Sequence, residues 1–182
     1  MHLDFPLRSG FLALPFEDEA IETFAECQER LAFLGDIVSF QKPTTPHLTL
    51  SYWPELMEIE YGQVQAQAAA IAERLKPFTY PIDGIDTFGK PGRDEVLYLK
   101  PAFSPELANA KKQCPWPNLY NPWQPHVTLL RVKHPERFER EKKDVLKEMK
   151  DVRFDVAVNR LRLYANVAGE SQVPLADFPF GV

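Results

Sequence analysis

The sequence is poor in cysteine, carries no excess of positive charge and has no long apolar run, and each lack narrows what the chain does. Its two cysteines, Cys27 and Cys114, stand alone, with no CxxC pair and no histidine at metal-ligand spacing. A zinc site is therefore not expected, and reduced, buried thiols suit a reducing compartment. No apolar run is long enough to span a bilayer. Residues 1–10 hold no long apolar core and no clear cleavage site. No signal peptide is expected, and a cytoplasmic location is. The net charge is −5 and the pI about 5.4. A protein that grips a long duplex shows a basic footprint, and this one does not. If the ligand is a nucleotide, it is a small molecule or a chain end. No carboxylate cluster suggests bound magnesium. Residues 89–93, Gly-Lys-Pro-Gly-Arg, lack the Walker spacing and read as a hairpin turn. No metal and no cofactor is expected.

What the chain does contain is one short phrase written twice: Pro46-His47-Leu48-Thr49-Leu50 and Pro125-His126-Val127-Thr128-Leu129. Each reads His-x-Thr-hydrophobic, with Pro before the His. Seven threonines and four histidines stand among 182 residues. Two such His-x-Thr pairs would arise by chance in roughly 1% of chains of this make-up, before the shared Pro is counted. A single His-x-Thr is most simply a half-buried strand histidine bonded to a neighbour; the matched pair argues for more. On a strand, residues i and i+2 share a face. His47 and Thr49 then point one way, and Leu48 and Leu50 pack the other way. The same holds for His126 and Thr128 against Val127 and Leu129.

The rest of the chain repeats around these phrases. A strand at 11–16 is followed by a helix at 18–34, with Asp18 as candidate N-cap and Gly35 as the stop. A Pro/Thr connector at 41–46 leads into the first HxT strand at 47–53. A helix at 61–75 carries Val64, Ala68, Ile71 and Leu75 on one face, and a strand follows at 78–88. The order then restarts. A strand spans 95–101, and Ser104-Pro105 open a short helix to about 113. A loop rich in Pro, Trp and Asn covers 114–124, and the second HxT strand 126–132. A helix at 135–150 and a last strand at 153–164 complete the repeat. The tail, 166–182, is expected to be irregular. At 182 residues the chain is long enough for one domain or two small lobes sharing a core. The expected fold is α+β and bilobal, with internally duplicated strand-helix-strand-helix-strand lobes at about 11–88 and 94–165. Two antiparallel sheets should enclose a central cleft, with the HxT strands central and adjacent.

The chemistry of such a cleft follows from its side chains. Imidazole titrates near ~6.5, so at neutral pH one histidine can be neutral while the other is protonated. The pair can act as base and acid in one step. Threonine hydroxyls are neutral donors suited to phosphoryl oxygens. In-line attack on phosphorus needs a base on one side and an acid on the other, and two facing HxT strands supply both.

The paired tetrapeptides His47-Leu48-Thr49-Leu50 and His126-Val127-Thr128-Leu129 resemble those of the two-histidine (2H) phosphoesterase superfamily. The string from Pro125 to Arg131, Pro-His-Val-Thr-Leu-Leu-Arg, is most similar to its bacterial branch, the 2′-5′ RNA ligase-like (LigT-like) proteins. The resemblance implies a bilobal fold with a central cleft. It also implies metal-free cleavage of 2′,3′-cyclic phosphates at RNA ends or on nucleotides, leaving a 2′-phosphate; ligation is the weaker, reverse reaction. Some members open ADP-ribose cyclic phosphate or cut 2′-5′ oligoadenylate. Carried over by position, His47 and His126 are the catalytic pair, and Thr49 and Thr128 hold the phosphate. By the same analogy His126 is the base that activates water and His47 the acid on the leaving 3′ oxygen. The implied partner is an RNA 3′ end or a small cyclic-phosphate nucleotide, not a long duplex or a membrane, bound by a monomer. A hydrolase of signalling nucleotides and a non-catalytic nucleotide-binding module are the alternatives.

Other candidates have plainer readings beside them. Trp53 shares parity with His47 and Thr49 and is a candidate for base stacking at the cleft mouth, though a strand-end Trp packs as readily. Trp116, Tyr120 and Trp123 precede the second phrase and are candidates for lining the cleft. Arg131 is a candidate phosphate contact. On a regular strand, however, its parity is opposite to that of His126, which favours the surface. His2 and His134 have no Thr two places on.

Overall fold

A computed structural model describes residues 3–116 and 122–181. In chain order the elements are β1 (Leu7–Pro15), α1 (Glu19–Arg30), β2 (Val38–Phe40), β3 (His47–Leu56), α2 (Glu58–Ala72), β4 (Phe78–Lys90), β5 (Arg93–Pro101), α3 (Pro105–Gln113), β6 (Val127–Val132), α4 (Pro135–Glu148), β7 (Arg153–Val158), β8 (Arg160–Val167) and β9 (Glu170–Pro179). They form two sheets in the orders β3-β1-β8-β9 and β2-β6-β5-β4-β7, with every pairing antiparallel. The fold is the expected α+β one.

The duplication shows in the strand orders, since β3-β1-β8 in one sheet has the same pattern as β6-β5-β4 in the other. The first strand and the HxT strand of each half stay together. The third strand of each half, β4 or β8, crosses to the sheet of the other half. The division near residue 90 is therefore one of sequence, while in space the halves interleave. Contrary to the expectation, the HxT strands are not both central and do not pair within one sheet, although they are in contact. β3 is an edge strand of one sheet and β6 lies in the other, so the two phrases face each other across the space between the sheets.

Local sequence explains most of the elements. Ser104 caps α3, its hydroxyl accepting from the Leu107 N–H at 3.2 Å, with Pro105 at the first helical position. Asp18 stands at the N-cap of α1 but makes no side-chain cap bond there. The apolar faces of the helices bury Phe24, Ala68, Ile71, Phe138 and Val145 in a core shared with both sheets. α2 packs on β8 and β9, while α1, α3 and α4 lie on strands of the five-stranded sheet.

Three segments differ from the expectation. The helix expected over 18–34 stops at Arg30 and continues as a 3-10 turn, Ala32–Ile37, kinked at Gly35 with φ +49°. The strand expected over 153–164 is two strands in different sheets, parted at Asn159. The tail is not irregular: it folds back on β8 as β9. The turn between them has left-handed backbone at both central residues, Ala168 (φ 51°) and Gly169 (φ 84°), which suits the twist of a two-residue hairpin. Alanine at the first of these positions gives no turn signal in the sequence. β9 is an edge strand on which only Phe178 is buried, so it shows no alternating pattern.

Candidate active site

Both HxT strands carry a one-residue bulge at the same place. Along β3, Thr49 is opposite Ala13 and Ser51 opposite Leu12, so Leu50 is the extra residue. Along β6, Thr128 is opposite Tyr98 and Leu130 opposite Leu97, so Leu129 is the extra residue. Each bulge residue is the fourth of its tetrapeptide. A bulge reverses the alternation beyond it, because side-chain parity along a strand is strictly two-fold. Tyr52 and Arg131, each five places after its histidine, therefore join His47, Thr49, His126 and Thr128 in lining one cleft of about 780 Å³.

This geometry corrects two readings. Arg131 does not point to the side of β6 away from the cleft; beyond the bulge it lines the cleft, opposite Val96. Trp53 is not a stacking residue at the cleft mouth. It packs edge-on against Trp116, 5.4 Å between ring centres, and the cleft-lining aromatic of β3 is Tyr52. Trp123 lines the cleft, and Tyr120 lies outside the described residues. Phe11, Phe88, Asn166, Ser171 and Gln172 also line it and were not singled out from the sequence. The last three come from the β8–β9 hairpin that the sequence concealed. Of the described residues lining the cleft, Arg131 is the one lysine or arginine and Glu95 the one carboxylate.

The carbonyls exposed by the bulges are taken up by the opposite half of the chain. Two consecutive carbonyls of β3 find partners there: Thr49 O accepts from the Trp123 indole N–H at 3.2 Å, and Leu50 O accepts from the Lys111 ammonium on α3. Leu129 O accepts from the Gln41 N–H at 2.9 Å and from the Gln28 amide on α1 at 3.0 Å. α1 and α3 are the first helices of the two halves, so each half braces the bulge of the other.

The two imidazoles are held alike. His47 Nδ1 lies 2.8 Å from Thr45 O and His126 Nδ1 lies 2.9 Å from Gln124 O. A carbonyl can only accept, so Nδ1 carries the proton in both rings and Nε2 is left for chemistry. Aromatic rings fix the planes. Phe11 stacks on His47 at 4.5 Å, with Tyr164 at 5.4 Å; Phe88 meets His126 edge-on at 4.9 Å, with Tyr98 at 5.7 Å. Burial pushes the His47 pKa down to about 4, against the hydrogen bond to Thr45 O, and a charge on His126 adds to the depression. Burial likewise holds His126 below its usual value, with the Arg131 guanidinium adding to it. Both rings are thus disposed to be neutral before an anion binds. Among the described residues, no three His, Cys, Asp or Glu side chains converge as metal ligands do.

The family model described as the 2′-5′ RNA ligase superfamily matches residues 45–170. No curated protein sequence matches the chain. Among solved structures the fold is similar to that of TT0787 of Thermus thermophilus, at 20% identity and a TM-score of 0.73, over 94% of this chain and 97% of that one. It is similar to E. coli LigT in its apo form, at 19% identity and a TM-score of 0.67, over 98% of this chain and 100% of that one. The MHV ns2 PDE domain superposes with a TM-score of 0.62 at 17% identity, over 87% of this chain and 99% of that one.

Proposed function

The chain belongs to the 2′-5′ RNA ligase superfamily, and from that premise we propose that it is a phosphodiesterase opening the 2′,3′-cyclic phosphate of an RNA end or nucleotide to a 2′-phosphate, with the two histidines as its acid and base. One observation carries this reading. Both rings give Nδ1–H to a carbonyl two residues back and keep Nε2 for the cleft. A module that merely bound nucleotides would not need two imidazoles in matched tautomers. LigT, which shares the fold, has been solved in complex with 3′-AMP, with ATP and with phosphate.

In the proposed reaction one Nε2 takes a proton from water as the water oxygen bonds to phosphorus. The P–O3′ bond breaks, and the other Nε2 gives its proton to the leaving 3′ oxygen. The products are a 3′-hydroxyl and a 2′-phosphate. Thr49 and Thr128 donate their hydroxyls to the non-bridging oxygens, whose charge builds in the transition state. Arg131 supplies the cationic donor of the cleft. Tyr52 and Trp123 offer faces to the base or its neighbour.

The roles of the two rings are better assigned in reverse of the family analogy. His47 is the harder to protonate, so it suits the base, and His126 suits the acid. Negative charge on the bound phosphate favours the protonated form of an imidazole beside it, so substrate itself readies the acid.

A short RNA ending in a 2′,3′-cyclic phosphate, incubated with EDTA present, tests the reading. Phosphorus NMR of the product should show a 2′-phosphomonoester. A 3′-phosphomonoester, or activity abolished by EDTA, would overturn the scheme. The cleft of about 780 Å³ also has room for more than one nucleotide, which keeps hydrolysis of 2′-5′ oligoadenylate as the second reading; preference for that substrate over the cyclic phosphate would establish it.

A further inference from the structure

The β8–β9 hairpin reaches over the cleft and is tied down there. The four-stranded sheet is curled: Thr45, just before edge strand β3, gives its hydroxyl to Gln172 Oε1 on the opposite edge strand β9 at 2.7 Å. A second tie, Lys42 Nζ to Glu170 Oε1 at 2.7 Å, joins the same two segments. Beside these ties, Gln172 holds a left-handed backbone (φ 57°) that a side chain other than glycine rarely adopts. Thr45 is also the residue whose carbonyl holds His47 Nδ1. The hairpin tip is thus one residue removed from the catalytic imidazole.

Hydrogen bonding decides what the tip shows to a ligand. The Gln172 N–H points at Asn166 Oδ1, 3.4 Å away, and an N–H can only donate, so the Asn166 amide is oriented with its NH2 free. The Gln172 side-chain carbonyl is taken by the Thr45 hydroxyl, which leaves its NH2 free as well. Both residues line the cleft. Tyr52, on edge strand β3 of the same sheet, also lines the cleft, its hydroxyl bonded to Ser9 Oγ at 3.3 Å. An aromatic face and two amide NH2 groups in one cleft suit a planar base whose edge carries oxygen or nitrogen acceptors.

Resting on the phosphodiesterase reading, we infer that the β8–β9 tip is the nucleobase subsite, and that Asn166 and Gln172 favour bases with a carbonyl at purine C6 or pyrimidine C4 over those with an amine there. Guanine offers O6 and N7, and uracil offers O4, to these donors. At the same positions adenine and cytosine carry an NH2, which sets donor against donor.

The test is kcat/KM on the four nucleoside 2′,3′-cyclic monophosphates, with Gln172→Glu and Asn166→Asp alongside. Both variants replace NH2 by an acceptor at unchanged size, and in the first the Thr45 hydroxyl can still donate to the new carboxylate. Guanosine and uridine substrates should exceed adenosine and cytidine by about tenfold in the wild type. The ratio should shrink or reverse in the variants, whatever their absolute rates. Equal rates on all four bases, or a ratio unmoved in both variants, would overturn the subsite while leaving the reaction standing. Turnover of none of the four, nor of a short RNA ending in the cyclic phosphate, would overturn the reaction instead. Calorimetric binding of the four nucleoside 2′-monophosphates then decides the subsite: the same order supports it and equal affinities end it.

Discussion

Tyr52 and Arg131 occupy the same place in the two halves of the chain, five residues beyond His47 and His126, and both line the cleft because a bulge at Leu50 or Leu129 reverses the strand between. The His-x-Thr phrase is thus doubled, while the position after the bulge is made different: an aromatic face on one side and a cation on the other. The proposed acid–base pair, nearly symmetric in itself, is thereby given the polarity that an asymmetric substrate requires.

Arg131→Met should lower kcat/KM by about 10- to 100-fold, the loss expected of a charge-assisted hydrogen bond of about 1.5–3 kcal/mol. Tyr52→Ala should cost a comparable amount through lost stacking of about 1–3 kcal/mol per base, and Tyr52→Phe much less. Steady-state kinetics of the three variants on one RNA substrate checks this. An Arg131→Met enzyme with wild-type kcat/KM would show that the guanidinium does not meet the phosphate.

The braces on the bulges can be removed singly. Lys111→Met leaves Leu50 O without its donor, and Gln28→Leu takes one of two donors from Leu129 O. An unpaired buried carbonyl costs about 1–3 kcal/mol, so Lys111→Met should be the more destabilising in urea titrations. Its KM should rise as Tyr52 loses its aim, with kcat less affected. Unchanged stability and KM would mean that the bulge holds itself.

His47 makes stability depend on pH. Its folded pKa lies near 4, below the ordinary 6.5 of the unfolded chain. The folded state therefore resists a proton that the unfolded state accepts. This contribution is fully kept above pH 6.5 and declines as the pH falls toward 4. Linkage puts the decline at about 2 kcal/mol between pH 7 and pH 5. His47→Gln, which does not titrate, should lose that much less over the same interval. Parallel pH slopes for the two proteins would show that His47 is not desolvated.

The same depression sets the rate profile. In kcat/KM, which reports the free enzyme, the acid limb should fall near pH 4 and the alkaline limb below 6.5, giving a maximum in mildly acidic solution. An acid limb at the ordinary histidine value would contradict the burial argument.

The sequence showed the two phrases and their repeat because identical four-residue patterns are visible without a structure. It left Trp53 and Arg131 each with two readings, and weighed them wrongly for Arg131, because parity was counted along a regular strand. Nothing in a leucine at Leu50 or Leu129 marks a bulge, which arises from how the two HxT strands meet β1 and β5. Placing the two phrases in register would have set Tyr52 beside Arg131, and that pairing was the available clue. The β8–β9 hairpin was hidden for another reason. An edge strand with one buried residue has no period to read, and its turn begins on Ala168 instead of on asparagine or glycine.

The central claim is that His47 and His126 act as one unit. The measurement is kcat/KM of the wild type, His47→Ala, His126→Ala and the double variant on a single cyclic-phosphate substrate. Each single variant should lose roughly 10²- to 10⁴-fold, as removal of a general acid or base does. The double variant should lose little more than the worse single one, since a base without its acid has little left to contribute. A single variant retaining the wild-type rate, or losses that multiply in full, would contradict the account.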